Sequence, residues 1–430
     1  MSEVCVHGLG YVGLPAATMM ANYGHRVYGY DADPEVRSLL RAGDVHLEEP
    51  GLRAFVTQGL ESGQLEVVDE VRPADYHVVC VPTPFDEASR TADLGYVESV
   101  GRAVADHLRV QDTVVLESTV PPGTTEEVLA PILEESGLAV GEEVALAHCP
   151  ETVLPGDIIA ELRNNDRIVG GVDSYSSQSA VRLYESFVDG RIRTVSSPTL
   201  AEFVKLIQNT FRDTNIALAN EIARLAADYG VDSRDAIALA NGHPRVDILQ
   251  PGPGVGGHCL PVDPWFLGHD SEELDLIETA RRVNDGMSEF IIGILVEELG
   301  SLADRKIAIL GAAYKGNVGD TRSSPGLKLA RELQYADEKP TPVTADGGAI
   351  DPPTVSVHDP HVTDPTLNLD DLEAATTDAD AVVVTTDHDE FERLNPATLR
   401  ERMCGSTVVD TKAILRPEAW RRAGFDLRRV

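Results

Sequence analysis

Short apolar runs alternate with helical patterns in the first part of the chain. The opening residues EVCVHGLGYVGLPAATMMANYGHRVYGYDAD read as a strand, a glycine turn, a helix and a second strand. Three later apolar runs are also predicted strands: YHVVCVPTP, DTVVLEST and EVALAHCPE. Strands that alternate with helices predict a parallel sheet that is covered by helices on both faces.

The middle of the chain carries a helical period instead. The segment SSPTLAEFVKLIQNTFRDTNIALANEIARLAADYG reads as one long helix, with serine and threonine near Pro198 as its start signals and Gly230 as its stop. Two shorter helices are predicted from SRDAIALANG and IETARRVNDGMSEFIIGILVEEL. Between them lies QPGPGVGGHCLPVDPWF, in which glycine and proline exclude a helix or a central strand, so we predict an ordered loop.

Alternation returns in the last part, where RKIAILGAAY, TVSVHDP, DAVVVTTDH and STVVDTKA are predicted strands. Residues 337–353 are rich in proline, threonine, glycine and aspartate and are predicted to form a surface insertion. A chain of 430 residues is too long for one core. We therefore predict an α/β fold with two doubly wound, Rossmann-like parallel-sheet domains, joined by a central helical region with one long helix.

Charge and cysteine usage narrow the class of protein. The chain has 71 acidic against 36 basic residues, a net charge of -35 spread along its length. Such an acid excess resembles adaptation to high salt, and it repels nucleic acid and anionic lipid. Five scattered cysteines without a CxxC pair indicate a reduced protein with no disulfide framework. No apolar run approaches a membrane span and no signal peptide is expected, so we predict a cytoplasmic protein without nucleic-acid or membrane partners.

The turn GLGYVG places Gly8, Gly10 and Gly13 in GxGxxG spacing between a strand and a helix. Glycines there allow a tight turn and a close approach of the backbone to a pyrophosphate at the helix N-terminus. Asp31 ends the next strand, where a carboxylate can accept from an adenosine ribose and would repel a 2′-phosphate. NAD is therefore favoured over NADP, although Arg37 weakens that preference. The alternative is a plain glycine turn with an aspartate that caps the next helix.

The loops after later strands carry VPTP, ESTV and PET. In an open parallel sheet, ligands bind beyond the carboxyl ends of the strands, so Thr83, Thr119 and Glu151 are candidates for contact with cofactor and substrate. Each of them singly also fits a helix cap. The predicted cofactor-binding residues are Gly8, Gly10, Tyr11, Val12, Gly13, Asp31, Thr83 and Thr119.

On the predicted long helix, Lys205 and Asn209 are four residues apart and share one face. Their neighbours in sequence are apolar, and a lysine in such surroundings can act as a proton shuttle or an electrostatic stabiliser. The alternative is a lysine whose stem packs on the helix surface while its ammonium group reaches water.

Cys259 differs from the other cysteines, which lie in apolar patterns typical of core filler. The glycines before it let a substrate approach the thiol, Lys205 and His258 are candidates to lower its pKa, and Asp263 is placed to orient a water. A zinc site from His258, Cys259 and Asp263 matches no structural zinc pattern, so no metal is predicted.

These motifs resemble the nucleotide-sugar 6-dehydrogenases, the UDP-glucose and UDP-N-acetylhexosamine dehydrogenases. The resemblance runs nearly end to end through GLGYVG, VPTP, ESTVPPGTTEEV, EFVKLIQNTFRDTNIALANE, GPGVGGHCLPVDP and GAAYKGNVGDTRSSP. It implies an NAD-binding domain over 1–196, a helical dimerisation region with the cysteine loop over 197–302, and a UDP-sugar-binding domain over 303–430. The nearest rivals are a two-electron hydroxyacid dehydrogenase and a non-catalytic nucleotide-sugar sensor on the same fold.

By the resemblance, two NAD oxidise the sugar C6 alcohol to a carboxylate through a thiohemiacetal and a thioester on Cys259. Lys205 and Asn209 would stabilise oxyanions, Asp263 would assist proton transfer, and Glu151 would lie near the hydrolytic water. The implied oligomer is a homodimer or a higher homo-oligomer, and the implied product serves a polysaccharide or glycan route.

The segments NGHPRVDILQPGPG and GVGGHCLPVDP resemble the branch that oxidises UDP-N-acetyl-D-mannosamine, rather than the GFGG-x-C-F-P-K-D pattern of UDP-glucose enzymes. UDP-N-acetyl-D-glucosamine and UDP-glucose stay open as alternative substrates. The residues that the resemblance assigns to substrate binding are Arg245, Gly256, Gly257, His258, Tyr314, Lys315 and Arg322.

Overall fold

The computed structural model describes residues 1–47, 49–154, 156–271, 273–334 and 352–430. Most of the predicted surface insertion, residues 337–351, lies outside the described residues. The chain divides into two compact units, Met1–Gln208 with Trp265–Glu272, and Asn209–Pro264 with Glu273–Val430.

The first unit is built on an eight-stranded sheet. Its strands are β1 (Glu3–His7), β2 (Arg26–Tyr30), β3 (Leu65–Val68), β4 (Tyr76–Val79), β7 (Thr113–Leu116), β8 (Ala145–His148), β9 (Arg167–Gly171) and β10 (Ile192–Val195), while β5 (Phe85–Asp86) and β6 (Thr91–Ala92) form a separate hairpin. The order is β10-β9-β8-β7-β4-β1-β2-β3. All neighbours pair in parallel except β8 and β9. The six strands in the order β8-β7-β4-β1-β2-β3 therefore form the doubly wound arrangement predicted from the sequence.

Helices cover both faces of this sheet. They are α1 (Gly13–Asn22), α2 (Pro34–Arg41), α3 (Leu52–Glu61), α4 (Gly95–Ala105), a π-helical segment (Thr124–Leu129), α5 (Ala130–Glu134), α6 (Ile158–Asn164) and α7 (Ser174–Tyr184). Neighbouring residues of β4 show the two faces, because Val78 packs in the core cluster of α1 and α7 and Val79 in that of α4. A strand buried on both sides explains the continuous apolar runs of the sequence.

The long helix is present as predicted. It is α8 (Pro198–Tyr229), with the Ser197 hydroxyl accepting from the N–H of Leu200 near its start and Gly230 in the left-handed conformation after its end. Next come α9 (Ser233–Ala240), α10 (Asp263–Leu267), α11 (Asp275–Asp285) and α12 (Met287–Leu299). The sequence predicted α11 and α12 as one helix; the structure divides it at Gly286, which forms the C-cap of α11 and the N-cap of α12.

The second unit contains a five-stranded parallel sheet. Its elements are β11 (Lys306–Leu310), α13 (Pro325–Gln334), β12 (Thr354–His358), α14 (Leu372–Thr376), β13 (Ala381–Val384), α15 (Asp389–Glu392), α16 (Pro396–Arg402), β14 (Thr407–Asp410), α17 (Pro417–Arg422) and β15 (Asp426–Arg429). The strand order is β12-β11-β13-β14-β15. Ile309 and Leu310 pack in different core clusters, so this sheet too is covered on both faces.

The five cysteines differ in their burial. No disulfide joins any of the five cysteines, all of which lie in the described ranges. Cys5, Cys80 and Cys149 are buried as predicted. Cys404 is exposed and its thiol donates to the Asp378 carbonyl, so the prediction that it fills a core was wrong.

Among the described residues, no helix combines the length and apolar character that a membrane crossing requires.

Candidate active site

The glycine turn after β1 fits a dinucleotide. A Cβ on Gly13 would lie 1.9 Å from the Gly8 carbonyl oxygen, and one on Gly8, whose φ is +89°, would lie 2.4 Å from the Cys80 carbonyl oxygen. These two glycines are thus required by the packing of strand, turn and helix. No atom lies within 4 Å of a Cβ built on Gly10, so the outer side of the turn is open for a ligand at the N-terminus of α1.

Asp31 directly follows β2, and its carboxylate points to the glycine-rich loop after β1. Its carboxylate accepts from the N–H of Leu9 at 2.7 Å and from the N–H of Asp33 at 2.9 Å. The cap of α2 is Asp33, which accepts from the N–H of Glu35. The capping role that competes with ribose binding is therefore taken by another residue. Arg37 is engaged by Asp69 and by backbone carbonyls.

The loops after β4 and β7 are joined directly. The Thr83 hydroxyl donates to the Thr119 carbonyl at 2.7 Å, and the Ser118 hydroxyl donates to the Val81 carbonyl at 2.8 Å. Thr83 is buried and Thr119 half-buried. Two predicted cofactor contacts therefore lie at one edge of the sheet, at the carboxyl ends of adjacent strands.

Glu151 follows β8 and is almost fully buried. One carboxylate oxygen accepts from the N–H groups of Thr152 at 2.6 Å and Val153 at 2.8 Å. The other lies 3.2 Å from a guanidinium nitrogen of Arg167. Sequence reasoning missed Arg167; the signal was a cation at the start of an apolar strand, where a charge requires a partner.

Lys205 is half-buried on α8, while Phe203 and Ile207 beside it are 42 and 43% exposed. The apolar neighbours in sequence therefore do not enclose the lysine within this chain. Buried His148, at the end of β8, has its pKa lowered to about 3 by burial and by the Lys205 charge. His148 is thus neutral at physiological pH.

Asn209 and Asp263 are brought together within the second unit. The Asn209 amide donates to an Asp263 carboxylate oxygen at 2.6 Å, and both side chains are buried. Asp263 begins α10, and its N–H donates to the Cys259 carbonyl at 2.8 Å. The sequence placed both residues in the candidate site but did not predict their direct contact.

The cysteine loop packs closely on the segment that carries Tyr314. A Cβ on Gly256 would lie 2.6 Å from the Tyr314 Cβ, and one on Gly257, with φ +87°, would lie 3.0 Å from the tyrosine ring. The N–H of Gly257 also donates to the Arg322 carbonyl at 2.9 Å. Cys259 is exposed beyond these glycines. Gly256 and Gly257 are therefore required for close packing against the segment between β11 and α13.

His258 is exposed beside Cys259, and its pKa is lowered by partial loss of hydration and by the Arg322 cation. Both effects disfavour the cationic form of His258, which is the form that would favour a thiolate on Cys259. The Arg322 guanidinium itself is paired with the Asp320 carboxylate at 2.5 Å.

A buried aspartate and histidine, which the sequence reasoning missed, support the loop of Tyr314 and Lys315. Asp359 after β12 accepts from the N–H groups of Ala312 and Ala313, each at 2.8 Å, and from His388 Nε2 at 2.9 Å. These polar residues stand at strand ends, which was their only signal in the sequence.

The structure also shows which candidates lie together. Tyr314 is close to Gly256 and Gly257, whereas Arg245 is exposed on the segment after α9.

Comparison with known families agrees with this architecture. Models of the UDP-glucose/GDP-mannose dehydrogenase family match three consecutive parts of the chain: the NAD binding domain over residues 2–188, the central domain over 199–286 and the UDP binding domain over 308–417.

Individual relatives match over the full length. A UDP-N-acetyl-D-mannosamine dehydrogenase from Methanococcus vannielii is 40% identical, and the match covers 100% of this chain and 96% of the relative. An NDP-N-acetyl-D-galactosaminuronic acid dehydrogenase from Ralstonia solanacearum is 39% identical, covering 96% of each chain. The solved UDP-D-ManNAc dehydrogenase of Pyrococcus horikoshii is 41% identical with a TM-score of 0.91, covering 100% of this chain and 99% of that one.

Proposed function

Because the chain belongs to the UDP-glucose/GDP-mannose dehydrogenase family, and is thus an NAD-dependent UDP-sugar dehydrogenase, we propose that it oxidises UDP-N-acetyl-D-mannosamine to the corresponding uronate. The observation that carries the choice of sugar is the 40% identity, over the whole chain, to a relative that bears this activity in its name.

NAD supplies the acceptor for a hydride in each of two oxidations when it is bound. We assign its binding to domain 1–196, with Gly8, Gly10, Tyr11, Val12 and Gly13 around the pyrophosphate. Asp31 would accept from the ribose, and Thr83 and Thr119 would contact the nicotinamide side. The open outer side of Gly10 and the inward turn of Asp31 support this assignment.

Cys259 is proposed as the nucleophile. Its thiolate attacks the aldehyde carbon formed by the first oxidation, which gives a thiohemiacetal, and the second oxidation converts this into a thioester. Water then attacks the carbonyl carbon, the C–S bond breaks, and the carboxylate leaves as Cys259 recovers its thiol. An exposed thiol behind a glycine-rich approach supports this role.

The surrounding polar groups are proposed to hold charge and protons. Lys205 and Asn209 would stabilise the oxyanions that develop at the sugar C6, and Asp263 would assist proton transfer. Glu151 would accept the proton of the hydrolytic water. The hydrogen bond between the Asn209 amide and the Asp263 carboxylate supports a joint role of this pair at the sugar C6.

The UDP-sugar is proposed to bind domain 303–430 and the cysteine loop of region 197–302. Tyr314, Lys315 and Arg322 would contact the nucleotide, and Gly256, Gly257 and His258 the sugar. The packing of Tyr314 on the loop glycines supports a common surface in the second unit. Arg245 is exposed in this chain, and we propose that it reaches substrate in an oligomer.

The sugar is tested by NADH formation with UDP-N-acetyl-D-mannosamine, UDP-N-acetyl-D-glucosamine and UDP-glucose in molar salt. We expect two NADH per UDP-N-acetyl-D-mannosamine and little from the others. The Ralstonia relative favours a second candidate, a nucleotide-linked N-acetyl-D-galactosamine sugar, which belongs in the same assay. Turnover on UDP-glucose alone would contradict the proposed roles of His258 and Arg245.

Replacement of the nucleophile tests the mechanism. Cys259→Ser should lower kcat by at least about 100-fold, because a hydroxyl is a far weaker nucleophile than a thiolate at neutral pH. The exposed Cys404→Ser is the matched control and should retain full activity. Unchanged formation of two NADH per sugar by the Cys259 variant would overturn the covalent route.

A homodimer is proposed from one face of α8. Large apolar side chains recur on this helix at four- and seven-residue intervals, the spacing of a single helical face. They are Phe203, Ile207, Phe211, Leu218, Leu225 and Tyr229, between 42 and 82% exposed. Phe211→Glu should shift the molar mass measured by light scattering from dimer to monomer, whereas Arg212→Gln, which is exposed on another face of α8, should leave it unchanged.

A further inference from the structure

A single buried cation lies between two carboxyl groups behind the Glu151 loop. Arg167 is 4% exposed, and its guanidinium nitrogens lie 3.2 Å from a Glu151 oxygen and 3.7 Å from a Glu117 oxygen. Both acids are almost fully buried as well. One positive charge therefore serves two carboxyl groups in a region where unpaired charge is costly.

The two carboxyl groups differ in what else holds them. Glu117 accepts from the Tyr184 hydroxyl at 2.6 Å and from the Cys80 thiol at 3.1 Å, so side chains occupy both of its oxygens. One oxygen of Glu151 accepts from two backbone N–H groups, and among the described residues Arg167 is the one hydrogen-bond partner of the other oxygen. The direction of that second oxygen thus depends on Arg167.

The geometry of Arg167 is specific to a guanidinium. Its two terminal nitrogens point to different acids, and its plane lies over the Tyr184 ring at 5.0 Å and near the Phe187 ring at 5.9 Å. A lysine ammonium can neutralise charge there but cannot reproduce both directions. The titratable groups that face this cluster are Glu117, Glu151, Cys80, Cys149 and Tyr184.

We infer that Arg167 is a positioning residue for thioester hydrolysis: it holds the Glu151 carboxylate in the orientation that accepts the proton of the attacking water. The inference rests on the proposed function. In this step the water oxygen bonds to the thioester carbon, the C–S bond breaks and its electron pair returns to the Cys259 sulfur. One water proton passes to Glu151. The oxidations that precede it do not need this proton acceptor, so a defect in Arg167 should appear at hydrolysis alone.

The first experiment is a rapid-mixing measurement of Arg167→Lys with NAD and UDP-N-acetyl-D-mannosamine. We expect a burst of two NADH per active site, followed by steady turnover about 10- to 100-fold slower than wild type. Intact-mass spectrometry of the quenched protein should show the sugar acyl group on Cys259. Arg163→Lys is the matched control, since Arg163 and its partner Asp189 are both exposed, and it should behave as wild type.

The second experiment compares the pH dependence of kcat in two variants with opposite expected shifts. Arg167→Met removes the cation that lies 3.2 Å from a Glu151 oxygen, so the acidic limb of the kcat profile should move to higher pH. Glu117→Gln removes a neighbouring negative charge, keeps the side-chain shape and should move the limb to lower pH. Thermal melting shows whether the Arg167 variants fold. If they do not, the pH profile of Glu117→Gln still tests the inference.

The outcomes separate the inference from the proposed function. No NADH from wild type with any nucleotide sugar would overturn the proposed function before Arg167 is considered. Normal wild-type turnover, with Arg167→Lys slowing the first NADH as much as hydrolysis, would overturn the positioning role. Equal pH limbs in wild type and Glu117→Gln would also contradict it.

Discussion

At the scale of single residues, the glycine turn separates a packing requirement from a binding requirement. Gly13 lies against the Gly8 carbonyl, whereas Gly10 faces open space. The same motif therefore contains one glycine that the fold needs and one that the proposed ligand needs.

Two alanine substitutions distinguish these requirements. Gly13→Ala should lower the free energy of unfolding by about 1–3 kcal/mol, because its Cβ overlaps a backbone oxygen. Gly10→Ala should leave the melting temperature unchanged and weaken NAD binding at least about 10-fold, because the methyl group occupies the ligand side of the turn. Thermal melting and NAD titration check both. A stable Gly13→Ala with normal NAD affinity would contradict the packing argument.

At the scale of elements, α8 is attached to the loop after β7 by Glu202. This buried carboxylate accepts from the N–H of Gly123 at 2.6 Å and from the N–H and hydroxyl of Thr125 at 2.9 and 2.5 Å. Burial raises the pKa of Glu202, while these hydrogen bonds lower it. The contact holds the helix of Lys205 to the loop of Thr119 within the first unit.

Removal of the Glu202 carboxylate should lower the stability of the fold. Glu202→Ala leaves two backbone N–H groups without their acceptor, so we expect a loss of about 2–4 kcal/mol in the free energy of unfolding. Arg212→Ala, at an exposed position of α8 outside the proposed dimer face, is the control and should change stability by less than about 0.5 kcal/mol. Calorimetry measures both variants, and equal melting curves would rule out the attachment.

The strand-end loops of the second unit depend on Asp359 in a similar way. Burial raises the pKa of its carboxyl group, but hydrogen bonds from His388 and from the N–H groups of Ala313 and His361 more than offset this and lower the pKa. A lowered folded-state pKa gives stability that is present above the unfolded value, about 3.9, and is lost as the pH falls through the folded value.

Asp359→Asn should therefore melt at a lower temperature than wild type at pH 6, and the difference should shrink as the pH falls below about 4. The exposed Glu392→Gln in the same unit should track wild type throughout. Thermal melting from pH 3 to pH 7 gives the comparison; a difference that grows toward acid pH would reverse the assigned sign.

At the scale of the whole molecule, the net charge of -35 is the dominant property. Many acidic side chains pair with arginine at the surface, but the acidic residues outnumber the basic ones by 35, so one-to-one pairing with cations falls short for about half of the carboxylates. Self-repulsion of this size weakens the compact state at low ionic strength and is screened as salt is added.

The melting temperature should consequently rise by several degrees from about 0.1 M to about 2 M KCl, and activity should rise with it. Sucrose at matched osmolarity is the reference, since it stabilises folded proteins by exclusion without screening charge. Screening should add a steeper rise at the low end of the KCl range, where the Debye length shortens most. Full activity and solubility without salt would remove the hypothesis of adaptation to high salt.

Local sequence determined much of this protein, because local signals need only neighbouring residues. The sequence alone indicated the glycine turn, the capped start and glycine stop of α8 and the alternating elements of both sheets. The structure confirms the α/β fold, and the family match confirms the NAD cofactor. The cysteine loop was also marked by its own glycines and prolines. The division at Gly286 was not predicted, since a single glycine is tolerated in many helices.

Tertiary structure alone decided which distant polar groups meet. Glu202 and Gly123 are 79 residues apart, Asp359 and His388 are 29 apart, and Arg167 joins acids from two other strand ends. A buried charge needs a partner, but nothing in its own neighbourhood of the sequence states which one. The packing of the folded chain sets those pairs, and with them the direction in which the Glu151 carboxylate points.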